Sequence, residues 1–231
     1  MQIQIRGGIG TQVLSFLIEV AKYGNTISQV IHGFGGYTLT PERRLKESSV
    51  GVAHLESVLD IGFDLKFTSS QSTTSTPITD SNICLLADKI SDVRALVKQK
   101  KEPSKDHVFH VRTFDSQLLS KEDYKRMCNL QGGFVISDNY NFVKEMGSFK
   151  IPTIDDTNSD WVIAANAKNL YGPFSTFTLA AAIINPDISL NLVHHKYYNS
   201  NIHGRENRLR QVSHLNDVFV DNFENINYMR I

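Results

Sequence analysis

The stretch that decides the fold is Met1-Gln-Ile-Gln-Ile-Arg6, which runs directly into Gly7-Gly-Ile-Gly-Thr-Gln12. The first six residues alternate as in a short strand, and apolar residues then recur at helical spacing over residues 13–21. A strand, a glycine-rich turn and a helix in this order can bind an anion, because backbone N–H groups and the positive end of the helix face the ligand. The alternative is a tight strand-to-helix turn without a ligand, and the glycines alone favour neither.

The composition is that of an ordinary globular protein. The chain has 231 residues, enough for one large domain or two small ones, and its formal net charge of +0 gives no general attraction to nucleic acid. Its two cysteines are far apart and have no metal-binding spacing. We find no signal peptide and no apolar run near the roughly 20 residues of a membrane span. We therefore expect a cytoplasmic protein without a nucleic-acid or integral-membrane partner.

Strands and helices alternate along most of the chain. The pattern predicts strands at 28–33, 82–87, 107–112 and 133–137, a brief strand or turn at 169–172, and helices at 120–130, 139–146, 159–168 and 175–184. A charged, proline-containing connector at 98–105 is the best candidate for a domain boundary. Such alternation is typical of an α/β fold with parallel β-α-β units. The tail, residues 199–231, carries no recognisable motif.

Ligands of parallel sheets bind beyond the carboxyl ends of the strands, which places the glycine turn, residues 112–115 and residues 137–139 in one crevice. His110 and Arg112 share a face of their strand, and an arginine there can grip phosphate oxygens with two hydrogen bonds. Asp115 could orient either side chain. The alternative for this segment is an Arg–Asp surface pair beside a packed histidine.

Two further polar segments precede predicted helices. Ser137 or Asp138 could cap the helix that follows, and the carboxylate could instead bind a ribose or base edge. Ser175 and Thr176 begin an alanine-rich helix, where hydroxyls and free N–H groups suit a phosphate but also make an ordinary N-cap.

Four segments in this order resemble the motif set of the α-1,2-fucosyltransferases and their relatives, the α-1,6- and protein O-fucosyltransferases. The glycine turn resembles G-G-L-G-N-Q, His110-Val-Arg-Thr-Phe-Asp115 resembles H-x-R-R-x-D, Ser137-Asp-Asn139 resembles S-D-D, and Ser175-Thr-Phe-Thr178 with the later Asn185-Pro186 resembles S-S-F-S-W-W followed by N-P. The resemblance covers most of residues 1–186.

The resemblance implies a GT-B-like fold, with two Rossmann-like halves around a central cleft and a reduced N-terminal half. Residues 1–100 would form the acceptor side and residues 101–231 the half that binds the nucleotide sugar. Its implied activity is inverting transfer of a fucose-like sugar from a GDP-linked donor to a glycan hydroxyl, with no required metal and no cofactor besides the donor.

The resemblance also assigns roles to individual residues. Arg112 would bind the donor diphosphate, and Arg112, His110 and Asp115 are the catalytic candidates. The remaining expected donor contacts are Gly8, Gly10, Gln12, Asp138, Ser175 and Thr176.

The sequence departs from the family's motifs at the second arginine, which is Thr113, and at the two tryptophans, which are Leu179 and Ala180. These departures motivate a second hypothesis, a non-catalytic nucleotide- or carbohydrate-binding module on a degenerate glycosyltransferase fold. A third is a nicotinamide-dependent enzyme, but the third glycine of that fingerprint falls on Val13 and no acidic residue ends the second strand.

Overall fold

The computed structural model describes residues 1–33, 54–70, 76–113, 119–129, 133–153, 157–198 and 206–231. Within these ranges the strands are β1 (Gln2–Arg6), β2 (Gln29–Gly33), β3 (Leu59–Ile61), β4 (Lys66–Ser70), β5 (Val97–Gln99), β6 (Lys105–Val111), β7 (Phe134–Ser137), β8 (Ala167–Gly172), β9 (Ser189–Val193) and β10 (Ile226–Met229). The α-helices are α1 (Ile9–Tyr23), α2 (His54–Val58), α3 (Asp80–Asp88), α4 (Ile90–Leu96), α5 (Lys121–Asn129), α6 (Tyr140–Met146), α7 (Thr157–Ala165), α8 (Thr176–Ile184) and α9 (Glu206–Asn222).

Two parallel sheets organise the molecule. The first has the order β1-β2-β4, and the second has the order β10-β9-β8-β6-β7 with every pairing parallel. A short antiparallel pair, β3 with β5, accompanies them. The predicted α/β class is therefore confirmed. The first sheet uses residues 2–70 and the second residues 105–229, while the division into two domains at residue 100 stays a prediction.

Helices α1 and α8 fill the space between the sheets. Every residue of α1 from Ile9 to Val20 except Thr11 is buried, and so is every residue of α8 from Thr178 to Ile184. Both helices belong to one hydrophobic cluster that also contains Ile5 of β1 and Leu170 of β8. This core is continuous from the first sheet to the second because two apolar helices pack against each other and against both sheets.

The other face of the five-stranded sheet carries a second cluster. Phe109 and Val111 of β6 lie in it, whereas Val108 of the same strand lies in the first cluster, since alternate residues of a strand point to opposite faces. Two tyrosines, Tyr124 and Tyr198, complete this second cluster close to the carboxyl ends of the strands. The sheet therefore has a packed layer on both sides, as parallel sheets require.

The elements differ from the sequence predictions in a few places. Residues 82–87 lie in helix α3 and not in a strand; the Thr79 hydroxyl accepts the amide of Asn82 as an N-cap, and Ile83 and Leu86 are buried at helical spacing. The segment predicted as a brief strand or turn at 169–172 is a strand: it lies in β8, which pairs with β6 and β9 inside the larger sheet. Strands β4 and β10 were not predicted. No helix within the described ranges is long and apolar enough to cross a membrane.

Candidate functional site

The N-terminal ends of α1 and α8 meet. A Cβ atom built on Gly10 would lie only 2.3 Å from the backbone N and Cα of Phe177, so the two backbones touch directly at this point. Beside this contact the hydroxyl oxygens of Thr11 and Thr176 are 3.0 Å apart, within hydrogen-bond distance. Since α1 follows β1 and α8 follows β8, the positive helix ends from the two sheets lie side by side.

The start of α1 is built from glycine conformations. Gly7 has φ of +105°, a value that favours glycine strongly, and Gly8 is the N-cap residue with an extended backbone. The Gly8 carbonyl accepts the amide of Gln12 at 3.0 Å, which closes the first helical turn. A glycine N-cap has no side chain with which to bind the first amides of the helix, so this start differs from a side-chain-capped one.

Gln12 is buried, and its side chain joins the ends of two strands. Its Nε2 donates to the carbonyl of Gly7 at 2.7 Å, and its Oε1 lies 3.1 Å from Nδ1 of the buried His32. A carbonyl oxygen only accepts, so this arrangement puts a proton on Nδ1 of His32. His32 also stacks on Phe67 of β4. The amide of Gln12 is thus engaged within the protein, and its role as a ligand contact stays a prediction.

The start of α8 has a side-chain cap that also holds an arginine. The Ser175 hydroxyl accepts the amide of Phe177 at 3.2 Å and one N–H of the Arg112 guanidinium at 3.2 Å. Ser175 is buried and Arg112 is half-buried, so the cation lies against the helix start and retains access to solvent. Three predicted site residues, Arg112, Ser175 and Thr176, are therefore brought together.

His110 points to the same side as Arg112, as predicted. Its ring stacks on Phe177 with centroids 4.8 Å apart and an interplanar angle of 18°. Only 6% of His110 is exposed, which corresponds to the packed-histidine alternative in the sequence analysis. A catalytic role for His110 stays a prediction, and Asp115 lies outside the described residues.

The loops after β6 and β7 are tied to each other. Asp138 Oδ1 accepts hydrogen bonds from both the amide and the hydroxyl of Thr113, at 2.9 and 3.1 Å. The expectation that Ser137 or Asp138 caps α6 was wrong, because Asn139 is the N-cap and accepts the amide of Phe142 at 3.1 Å. Ser137 instead donates to the carbonyl of Val111 at 2.7 Å. Thr113 thus fixes the carboxylate of Asp138.

Sequence reasoning missed two tyrosines beneath the site. The Tyr124 hydroxyl donates to the carbonyl of Arg112 at 2.6 Å, and the Tyr198 hydroxyl accepts the amide of Phe174 at 2.8 Å. Burial raises the pKa of Tyr198 to about 12 and raises the pKa of Tyr124 further. Both are therefore neutral phenols at physiological pH. Nothing in the local sequence around either tyrosine indicates these contacts.

The arrangement suits a phosphate-type oxyanion. Two helix ends and one guanidinium supply positive charge at the carboxyl ends of β1, β6 and β8, where ligands of such sheets bind. Within the described ranges no three His, Cys, Asp or Glu side chains are grouped so as to hold a metal ion. Comparison of the chain with protein-family models, curated proteins and solved structures gave no match.

Proposed function

We propose that the protein is a GT-B-like inverting glycosyltransferase. It transfers a fucose-like sugar from a nucleoside-diphosphate donor, GDP-linked, to a hydroxyl of a glycan acceptor, with no required metal. The observation that supports this function is the meeting of the α1 and α8 starts beside Arg112, which bonds to the cap of α8. Such a site favours the negative charge that the leaving diphosphate acquires.

The mechanism follows from where charge develops. The bond between the anomeric carbon and the donor oxygen breaks, and its electron pair goes to the β-phosphate. Arg112 and the two helix starts stabilise that charge, and preorganised electrostatics of this kind often supplies the largest catalytic contribution. The acceptor oxygen attacks the opposite face of the oxocarbenium-like carbon, and its proton passes to a general base. Asp115 and His110 are the candidate bases.

A second candidate function is a non-catalytic module that binds a nucleotide or a carbohydrate. The specific observation in its favour is the Thr113–Asp138 contact, in which Thr113 fixes a carboxylate where the resembled family has a second diphosphate-binding arginine. The site then has fewer cations to neutralise a leaving diphosphate. Binding would persist on Arg112 and the helix starts, whereas bond cleavage would lose part of its electrostatic stabilisation.

The first experiment compares thermal unfolding of the wild type, Arg112→Ala and Arg126→Ala with GDP, UDP, sugar nucleotides and NAD. Arg126 is an exposed arginine paired with Asp123, so Arg126→Ala removes the same charge away from the site. A ligand at 100 times its Kd stabilises the folded state by about 2.7 kcal/mol. We expect GDP to stabilise the wild type and Arg126→Ala, and this stabilisation to vanish in Arg112→Ala. If NAD stabilises the wild type as much as GDP and the other nucleoside diphosphates do, the proposal is contradicted.

The second experiment separates the two candidate functions. Release of free GDP from GDP-sugars is followed with and without oligosaccharide acceptors. Acceptor-dependent release supports the transferase. Tight binding with no turnover of any stabilising donor supports the binding module.

A further inference from the structure

Two buried tyrosines reach the site from the far side of the five-stranded sheet. Tyr124, on α5, bonds to the carbonyl of Arg112, and Tyr198, just beyond β9, bonds to the amide of Phe174. Both rings lie in the second hydrophobic cluster, where Tyr124 is 0% and Tyr198 is 8% exposed. Each phenol therefore contacts the backbone of one of the two segments that form the Arg112–Ser175 hydrogen bond.

The Phe174 amide is a sensitive point for the geometry of the site. Phe174 directly precedes Ser175, whose hydroxyl both caps α8 and accepts from Arg112. Its side chain packs against both hydrophobic clusters, so the turn from β8 to α8 lies where the two faces of the sheet meet. Holding this amide holds the backbone that orients the Ser175 hydroxyl.

A side chain of helix α9 forms a hydrogen bond with Tyr198. The Asn216 side-chain amide donates to the Tyr198 oxygen at 3.3 Å, and Asn216 is completely buried. Among the described residues its Oδ1 has no hydrogen-bond partner, and burying a polar group in this way has a cost. The contact with Tyr198 gives a reason for an asparagine at this position, and it links the C-terminal tail to the site.

We propose that Tyr124 and Tyr198 are positioning residues of the oxyanion site: their phenols fix the Arg112 carbonyl and the Phe174 amide, and so hold the Arg112 guanidinium against Ser175. The identity of the oxyanion rests on the proposed function, whereas the positioning of Arg112 does not. Because the rings fill a closed core, replacement by phenylalanine removes only the hydroxyl and keeps the packing.

The test measures Arg112 directly by NMR of ¹⁵N-labelled protein. The guanidinium Nη–H signals of Arg112, which include the donor to Ser175, are assigned by their loss in Arg112→Lys, and their solvent-exchange rate is compared in the wild type, Tyr124→Phe and Tyr198→Phe. Loss of one hydrogen bond changes an equilibrium about fivefold, so we expect exchange about fivefold faster in each variant and GDP affinity about fivefold weaker. The Nη–H of Arg94, which donates to the carbonyl of Ile183 at 2.6 Å, is the internal control and keeps its rate.

Tyr228→Phe is the matched variant, because it removes a phenol bonded to Asp217 and leaves the turn before α8 untouched. It is expected to leave Arg112 exchange and GDP affinity unchanged. Folded Tyr124→Phe and Tyr198→Phe proteins with wild-type Arg112 exchange overturn the proposal, even if their melting temperatures fall. If Tyr198→Phe does not fold, Tyr124→Phe decides alone. A wild type that binds no GDP contradicts the proposed function, and the Arg112 exchange rates still test the positioning.

Discussion

The starts of α1 and α8 occupy equivalent places and are built differently. Each follows the carboxyl end of a strand in a parallel sheet, and the two touch where Gly10 meets Phe177. The α1 start consists of glycines, with Gly8 as a cap that has no side chain. The α8 start has the Ser175 hydroxyl, which also holds Arg112.

This difference shows that glycines at a helix start can serve packing while the polar chemistry comes from the neighbouring helix. Gly10 is required because any side chain would overlap the Phe177 backbone. The side chains that can contact an anion, the Arg112 guanidinium and the Ser175 hydroxyl, lie at the α8 start. The positive end of α1 is brought to them by its close packing.

The largest effect is expected from a substitution that breaks the contact between the starts of α1 and α8. Gly10→Ala would place a Cβ 2.3 Å from backbone atoms of Phe177, which cannot move without shifting α8. We expect the free energy of unfolding to fall by more than about 4 kcal/mol, measured by urea denaturation.

The control for that change is Gly24→Ala at the other end of the same helix. A Cβ there meets nothing within 4 Å, although φ is +57°. With ψ of −140° this backbone conformation favours glycine, so the substitution is expected to cost about 1–3 kcal/mol from the backbone alone. A Gly10→Ala protein as stable as Gly24→Ala would show that the helix starts are not in contact.

The second prediction concerns the pH dependence of stability, because the turn before α8 is bonded to a titratable tyrosine, Tyr198. Burial raises the pKa of Tyr198 from 10.0 to about 12, so its phenol loses a proton more readily in the unfolded state. The resulting stability is complete below about pH 10 and falls by about 2.5 kcal/mol as the pH rises to about 12. Denaturant unfolding between pH 8 and 12 measures this loss.

Tyr198→Phe is the reference for the pH series. At high pH the stabilising contribution of other buried groups also falls. One of them is Cys128, because burial raises the pKa of its thiol to about 12, and these groups are present in both proteins. The wild type is therefore expected to lose its stability advantage over Tyr198→Phe between pH 10 and 12. A constant difference across that range would mean that Tyr198 is not buried as described.

The third prediction concerns a substitution that removes the N-cap side chain by which α8 differs from α1. Ser175→Ala deletes the acceptor for the Phe177 amide and for Arg112, and loss of an N-cap costs about 1–2 kcal/mol. Thr79→Ala, which removes the exposed N-cap of α3, is the control. Both lower the free energy of unfolding, but only Ser175→Ala is expected to weaken GDP binding. If the two variants bind GDP equally well, Ser175 does not contribute to GDP binding.

The smallest effect concerns the hydroxyl pair that joins the two helices. A double-mutant cycle of Thr11→Val and Thr176→Val is expected to give a coupling energy of about 0.5 kcal/mol, typical of a half-buried neutral hydrogen bond. The exposed pair Thr79 and Ser81, whose hydroxyls are 3.1 Å apart within one helix start, is the control and should couple less. Zero coupling between Thr11 and Thr176 would contradict the contact.

Part of this site was predictable because its signals are local. The shared face of His110 and Arg112 is a local signal, and the rule that parallel strands present ligands at their carboxyl ends placed the glycine turn and Arg112 in one crevice. Ser175, which is 63 residues from Arg112, was expected at the same site only from the family resemblance. The short apolar run at 82–87 was wrongly predicted as a strand, because such a run fits a strand and a helix equally well. The Thr79 cap and the burial at helical spacing distinguish the two.

The α/β class and most of the elements could be predicted from the residues alone, because the periodicities of strands and helices are properties of neighbouring residues. Three contacts became visible only in the folded protein: Gly10 abuts Phe177, Thr11 lies beside Thr176 across 165 residues, and two tyrosines bond to the Arg112 carbonyl and the Phe174 amide from the far face of the sheet. The physical reason is that these contacts depend on the order of the strands and on close packing in a continuous core, and neither leaves a mark in the residues on either side of a single position.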